Sequence, residues 1–293
     1  MQSLEGKTAV ITGAASGIGL GLAERFVAAR MNVVLADIQE DALENAVKHL
    51  KQRQGRVTGV KVNTMVRESV EHLAAKAIEI YGKVHVLCNN AGVAASAGGV
   101  GKAVWEVADA DWDWVMGVNF NGVLYGLQTF IPHMLAHGEE SHIVNTASLA
   151  GLMPGGGTYG VSKHGVLCLT ESLYNDLKAR NCNISASVLC PGFVNTQIFD
   201  AERNRPDELK LSAEDKNEAI TFDAQGLLSQ GLAPADVADI VARAILNDDL
   251  YILPHPAWDD IMRSRLEHVL ARGAPAKIDF ADIMARMAQG EQF

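Results

Sequence analysis

The chain has 293 residues, 48% of them hydrophobic, which suits one large α/β domain or two small ones with an ample core. A formal net charge of -10 argues against nucleic acid or an anionic membrane surface as partner, and no window reaches the ~18 consecutive apolar residues of a spanning helix. Cys88, Cys168, Cys182 and Cys190 lie in apolar or strand-like surroundings without C-x-x-C spacing. They read as buried free thiols, and a start that enters a strand with no leader-like segment makes a cytoplasmic location the expectation.

Lys7 to Thr12 is a short apolar strand, followed at once by Gly13-Ala14-Ala15-Ser16-Gly17-Ile18-Gly19, a helix from Leu20 to about Ala29, and a second strand, Asn32 to Asp37. Strand, glycine turn, helix and strand ending in an acid make a dinucleotide-binding βαβ unit. The glycines let backbone approach a pyrophosphate, and the helix N-terminus offers N–H donors and the positive dipole end. Asp37 accepts hydrogen bonds from an adenosine ribose and repels a 2′-phosphate, and no basic residue follows it in Ile38-Gln39-Glu40-Asp41. NAD is therefore the expected cofactor.

The alternation continues with a helix from about Asp41 to Gln52, a strand from Val57 to Val62, a helix from Arg67 to Tyr81 and a strand from Val84 to Cys88 that runs into Asn89-Asn90-Ala91-Gly92. Repeated β-then-α with short links predicts a parallel sheet covered on both faces. Val93 to Lys102 reads as a loop, and Asp109 to about Ala136 as one long amphipathic helix with Asn119 inside it, where asparagine gains nothing from propensity. His133 and His137 are four apart near the end of that helix but have no third ligand, so no metal site is expected.

A fifth strand runs from Ile143 to Ser148, a glycine-rich linker from Pro154 to Gly157, and a helix from Tyr159 to about Ala179. Tyr159 and Lys163 share one face of that helix, a turn apart. A tyrosine is a poor base near neutral pH, and a nearby ammonium favours its phenolate. The hydroxyl of Ser148, at the end of its strand, is placed to polarise a substrate oxygen. A sixth strand, Asn183 to Leu189, ends in Cys190-Pro191-Gly192-Phe193-Val194-Asn195-Thr196. Residues 197–232 are charged and irregular and read as a substrate lid beside the crevice. A helix from Pro234 to Leu246 and a seventh strand, Leu250 to Leu253, precede a C-terminal extension, 254–293, with helices near Trp258–Ala271 and Ala281–Ala288.

Taken together, Thr12-Gly13-x-x-x-Gly17-x-Gly19, Asn89-Asn90-Ala91-Gly92, Asn119, Ser148, Tyr159-x-x-x-Lys163 and Pro191-Gly192-x-Val194-x-Thr196 resemble the short-chain dehydrogenase/reductase family, in its order and over residues 6 to about 253. The resemblance implies a single Rossmann-like, doubly wound domain with seven parallel strands, residues 1–196 forming the cofactor-binding and catalytic core. It implies Tyr159 as the proton-transfer residue, Lys163 lowering its pKa and holding the nicotinamide ribose, Ser148 positioning the substrate oxygen, and Asn119 supporting a water that links Lys163 to solvent. Gly13, Ser16, Gly17, Ile18, Gly19, Asp37, Asn63, Asn90, Ala91, Gly92, Pro191, Gly192, Val194 and Thr196 would bind the cofactor, with Tyr159 and Lys163. Asn63 stands where an aspartate is usual, but its side-chain carbonyl still accepts from an adenine amino group. The stretch between Ser148 and Tyr159 is shorter than is usual in the family, which bears on the shape of the substrate pocket.

Around Ser148 and Tyr159, the residues after the strand ends predict an apolar pocket with Leu149, Met153, Phe193, Ile198 and Phe199 as walls and Val93 to Ser96 beside them. A hydrophobic secondary alcohol or ketone is favoured over a sugar or hydroxy acid. Asp111-Trp112-Asp113-Trp114, Cys190 to Thr196 and Ile252-Leu253-Pro254-His255-Pro256 are similar to the bacterial Cα-dehydrogenases of lignin β-aryl ether breakdown, which implies a benzylic alcohol as substrate. Steroid, terpenoid and cyclic aliphatic alcohols are the alternatives within that mechanism, and a catalytically silent NAD-binding scaffold the alternative outside it. The family's usual interface implies a homotetramer or homodimer.

Overall fold

The protein is described by a computed structural model over residues 1–95, 103–212, 228–291 and 293. Seven strands, β1 (Thr8–Thr12), β2 (Asn32–Asp37), β3 (Arg56–Lys61), β4 (Val86–Asn89), β5 (Ser141–Thr146), β6 (Ile184–Leu189) and β7 (Tyr251–Ile252), form one sheet in the order β3-β2-β1-β4-β5-β6-β7. Every adjacent pair is parallel. Strands covered on both faces need apolar side chains in both directions, and β1, β4 and β5 are buried along their whole length.

Among the described residues the helices are α1 (Gly17–Ala28), α2 (Glu40–Gln52), α3 (Arg67–Tyr81), α4 (Asp109–Met116), α5 (Gly122–His137), α6 (Gly157–Ala179), α7 (Pro234–Asn247), α8 (Asp259–Leu270) and α9 (Phe280–Ala288). Alternate strand residues serve opposite layers. Ile11, Val33 and Leu35 pack with Leu22 and Phe26 of α1, Leu50 of α2 and Ile245 of α7. Val10, Leu87 and Ile143 pack on the other face with Leu73 of α3, Phe130 and Met134 of α5 and Val166 of α6. The result is the doubly wound domain that the alternation predicts. The strand order reverses between β1 and β4, so a crevice opens beyond their C-terminal ends, where Gly13 and Asn90 lie.

Three segments differ from expectation. The long helix from Asp109 is interrupted by a π-turn, Gly117–Asn121, that inserts an extra residue between α4 and α5. The linker before Tyr159 is partly helix: Gly155 and Gly156 take positive φ (95° and 81°), and α6 starts at Gly157. Helical backbone at Thr158 and Tyr159 thus follows a turn that only glycines adopt without strain. His133 and His137, which read from the sequence as histidines at a solvent-facing helix end, are half-buried. The ring of His133 accepts a bond from the Val84 N–H at 3.2 Å and His137 Nε2 lies 3.0 Å from the Val84 carbonyl, which employs both at the base of β4.

Of the cysteines, Cys88 and Cys190 are buried free thiols as read, but Cys168 is exposed on α6 and Cys182 is half-buried. The charged stretch expected as a lid holds short 3-10 turns, Ile198–Asn204 and Asp207–Leu209. Its continuation through Phe222 and Leu227 lies outside the described residues, as do residues 96–102, Ser96 among them. Among the described residues no helix is long and apolar enough to cross a membrane, and no group of three metal-ligating side chains converges.

Candidate active site

A cleft runs along the C-terminal ends of β1, β2, β4, β5 and β6. Its floor begins at the glycine turn. Gly13 has φ +66°, and a Cβ there would lie 2.9 Å from Ala91 Cα; a Cβ on Gly19 would sit on the Gly13 carbonyl oxygen. Only glycine fits either place, so the first turn of α1 packs down on the strand end and its N–H groups face the cleft. No acidic residue stands in that first turn to compete for them. Thr12 ties the neighbouring strand end into the same cradle: its Oγ1 accepts from the N–H groups of Asn90 and Ala91, each at 3.0 Å, while Asn90 Nδ2 donates to the Thr12 carbonyl at 3.0 Å.

At the far end of the cleft, Asp37 closes β2. Its carboxylate oxygens accept from the N–H groups of Ala15 at 2.9 Å and Gln39 at 3.0 Å, which fixes the side chain at the cleft wall. Asn63 also lines the wall, its Oδ1 accepting from Met65 N at 3.0 Å. The described part of the 197–232 stretch crosses here. Arg203 lines the cleft, and with the Gln39 amide turned so that its oxygen faces the guanidinium, that oxygen accepts from Arg203 Nε at 2.9 Å and Nη2 at 3.1 Å. No sequence signal places an arginine beside Gln39, because the two lie far apart in the chain.

The opposite end holds the polar constellation. Lys163 is buried on α6, and its Nζ donates to the Thr146 carbonyl at 2.9 Å and stands 5.6 Å from the centre of the Tyr159 ring. Burial pulls the Lys163 ammonium down to about 8, since a charge is costly to hold away from water. Burial also pushes the Tyr159 hydroxyl above its ordinary value, and a hydrogen bond with Ser148 works against that rise. The protein residues alone therefore do not produce the lowered tyrosine that the Lys163 pairing predicts, because desolvation is the larger effect. Ser148 Oγ accepts from Ala150 N at 3.1 Å and lies 3.4 Å from the Pro191 carbonyl, so the serine caps the 3-10 turn Leu149–Gly151 while touching the loop after β6.

Asn119 is fully buried in the π-turn. Its Oδ1 accepts from Val93 N at 2.8 Å, and its Nδ2 donates to Val93 O and to Ser162 Oγ, both at 3.0 Å. The amide thus clamps the segment that follows β4 to α6. A Cβ on Gly92 would lie 3.2 Å from Lys163 Nζ and 3.4 Å from Asn119 Oδ1, which places both groups around that glycine. Behind them a buried ladder runs from Asn89 Nδ2 to Asn145 Oδ1 at 2.9 Å and from Asn145 Nδ2 to Thr170 Oγ1 at 3.0 Å. It joins β4, β5 and α6 without reaching the cleft.

Of the residues expected at the site, Gly13, Ser16, Gly17, Ile18, Asp37, Asn63, Asn90, Ala91, Gly92, Ser148, Tyr159, Lys163, Pro191, Gly192, Val194, Thr196 and Ile198 all line the cleft. Gly19 and Asn119, packed behind the cleft, and Leu149, Met153, Phe193 and Phe199 do not. The turn after Ser148 folds Leu149 and Met153 into the core beside α6, Phe193 stacks on Trp258 with ring centres 5.9 Å apart, and Phe199 is turned outward. Val93 lines the cleft as expected, and further apolar lining comes from Met65, Trp114, Val118, Ala201 and Leu228. Trp114 faces inward because the Arg205 guanidinium covers it at 4.1 Å and is itself held by Asp111 and Glu202.

The sequence profile described as short chain dehydrogenase matches residues 7–207. The chain belongs to this family. A solved short-chain dehydrogenase/reductase from Burkholderia phymatum, in complex with NAD, is 42% identical, covers 95% of this chain and 99% of its own, and superposes with a TM-score of 0.88. The C alpha-dehydrogenase of Sphingobium sp. (strain NBRC 103272 / SYK-6) is 30% identical over 281 residues, 95% of this chain and 90% of that protein. The 1-deoxy-11-beta-hydroxypentalenate dehydrogenase of Streptomyces exfoliatus is 40% identical over 217 residues, 72% of this chain and 77% of that one. This short-chain dehydrogenase is therefore an oxidoreductase of alcohols, and its cleft suits a nicotinamide dinucleotide. The glycine cradle would take the pyrophosphate, Asp37 the adenosine ribose, and Lys163 with the Pro191–Thr196 loop the reactive end.

Proposed function

We propose that this enzyme interconverts a hydrophobic secondary alcohol and its ketone with NAD, and that Tyr159 moves the proton. The observation that carries the reading is the meeting of Tyr159, Lys163 and Ser148 at one end of a cleft whose other end carries Asp37. When bound, NAD supplies the hydride acceptor. The chain's own residues must then hold the carbinol and remove its hydroxyl proton. Ser148 orients the substrate oxygen, Tyr159 takes the proton, and Lys163, a cation beside the ring, favours the phenolate. Asn119 secures the Val93 backbone against α6 and so fixes the floor on which Lys163 rests. Because burial raises the Tyr159 pKa, alcohol oxidation is expected to speed up as pH rises through that value, and ketone reduction to slow.

Carbon-rich lining from Val93, Trp114, Val118, Ile198, Ala201 and Leu228 supports an apolar substrate. Benzylic alcohols lead, on the likeness to the C alpha-dehydrogenase, with terpenoid alcohols next on the likeness to the pentalenate dehydrogenase. Residues 197–232 act as the substrate lid, of which residues between 197 and 206, together with Leu228, reach the cleft. The enzyme assembles as a homodimer or homotetramer, which light scattering at micromolar concentration checks; a single 31.4 kDa species would reject it.

The test is NADH formation across benzylic, steroid, cyclic aliphatic and polyol substrates, with NAD and NADP side by side. Turnover of the benzylic set with NAD supports the reading, and turnover of the polyol alone overturns the apolar substrate. Tyr159→Phe is expected to cut turnover by ~10²-fold or more with NAD binding kept. Absence of turnover in every assay, with NAD bound, would instead indicate a silent scaffold.

A further inference from the structure

The loop after β6, Pro191 to Thr196, presents Pro191, Gly192, Val194 and Thr196 to the cleft. It lies at the reactive end, since the Pro191 carbonyl accepts from Leu149 N at 3.0 Å and sits 3.4 Å from Ser148 Oγ. Six consecutive residues outside any strand or helix, tied at one side by a bridge from Val194 to Leu232, are a poor platform for ligand groups unless something also fixes them from behind. What stands behind them is His255, on the segment that leaves β7.

His255 is 1% exposed and uses both ring nitrogens on the backbone of two successive residues of this loop. Nδ1 accepts from Gly192 N–H at 3.0 Å and Nε2 donates to the Phe193 carbonyl at 2.9 Å. A backbone N–H only donates and a carbonyl only accepts, so the ring is neutral and its proton is on Nε2. Burial lowers the His255 pKa and thereby keeps the ring in that form. Gly192 is pressed so closely against this wall that a Cβ would meet Trp258 Nε1 at 2.9 Å and His255 Cγ at 3.2 Å. The loop at Gly192 and Phe193 therefore has the cleft on one side and a buried imidazole on the other.

We propose that His255 is a positioning residue, which through its paired bonds to Gly192 and Phe193 sets the Pro191–Thr196 loop against the nicotinamide end of NAD. The proposal rests on the NAD reading above. It predicts a loss confined to one end of the cofactor. The Asp37 end and the glycine cradle are built from β1, β2 and α1 and do not touch His255.

Calorimetric titration of the whole protein with NAD and with ADP-ribose, which lacks the nicotinamide ring, separates the two ends. His255→Ala removes two buried hydrogen bonds and is expected to raise the Kd for NAD ~10-fold while that for ADP-ribose stays within ~2-fold. His255→Asn, whose carbonyl oxygen reaches the Nδ1 position and still accepts from Gly192 N–H, should recover part of that loss. Equal weakening of both ligands would reduce His255 to a general structural residue and overturn the proposal, as would an unchanged affinity for NAD. Should the alanine variant not fold, the asparagine variant decides alone: weaker NAD with unchanged ADP-ribose supports the role, and no difference from the parent rejects it. A parent enzyme that binds ADP-ribose and NAD equally but turns over no alcohol would fault the proposed function, not the loop contact.

Discussion

Along the strand-end wall of the cleft, from Gly13 to Asp37 and Ala91, functional groups are held by backbone: Asp37 accepts from two N–H groups and Thr12 Oγ1 from two more. Along the facing wall, from Gln197 to Leu209, charged side chains hold one another. Arg205 lies over Trp114, donates to Glu202 at 2.7 Å and to buried Asp111, and adds a bond to the Leu209 carbonyl at 3.1 Å. Backbone partners exist as soon as the strands form, so the first wall is stable before any ligand arrives. The second depends on ion pairs between distant segments, which are exacting when buried and weak when exposed.

The largest expected effect falls on the second wall. Asp111→Asn leaves the buried Arg205 short of a charge partner and should lower stability by about 3 kcal/mol, read as a shift in the urea midpoint. A loss below about 1 kcal/mol would mean that Glu202 alone suffices and that the two walls are less different than they look.

A third effect, of acid, arises away from both walls. His142 is fully buried at the other end of β5, its Nε2 2.7 Å from Ser187 Oγ, and burial pulls its pKa to about 4. The folded value lies below the unfolded one, so the unfolded chain takes up the proton first. Stability from this residue is complete above an unfolded pKa of ~6.5 and drains as pH falls toward about 4, by about 3 kcal/mol. Urea midpoints followed from pH 7 downward should show that slope in the parent and lose most of it in His142→Leu.

For the first wall, Asp37→Asn should change selectivity and spare the fold. We expect the preference for NAD over NADP to drop ~10-fold, as judged from kcat/KM, with stability altered by no more than about 1 kcal/mol. A collapse of stability would show that the carboxylate holds the turn together instead of reading the ribose. The smallest effect belongs to the Arg203 bridge to Gln39. Arg203→Ala is expected to weaken NAD binding only ~2- to 5-fold, in keeping with a partly exposed contact, and calorimetry would reveal it.

These two walls also divide what could be read from sequence. Glycines that face a close approach, an acid at the end of a strand and a tyrosine–lysine pair one turn apart are local patterns, and the structure assembles Gly13, Asp37, Tyr159 and Lys163 around one cleft. Trp114 and Arg203 were not legible as cleft residues, nor Arg205 as the support behind Trp114, because their placement depends on partners from other parts of the chain. Leu149 and Met153 were misassigned for a related reason. A strand end predicts that the following residues are near the ligand, but not that a 3-10 turn folds their side chains inward.

The π-turn at Gly117–Asn121 has a consequence for how the enzyme tolerates change. One extra residue advances a helix by ~100°, so α4 and α5 point their apolar stripes in different directions although their sequences run on without a break. The segment works as a phase shifter between two packing problems: α4 meets Arg205 and the cleft, while α5 packs Phe130 and Met134 against the sheet. Removing a single residue there would leave every contact partner in place and bring all of them out of step.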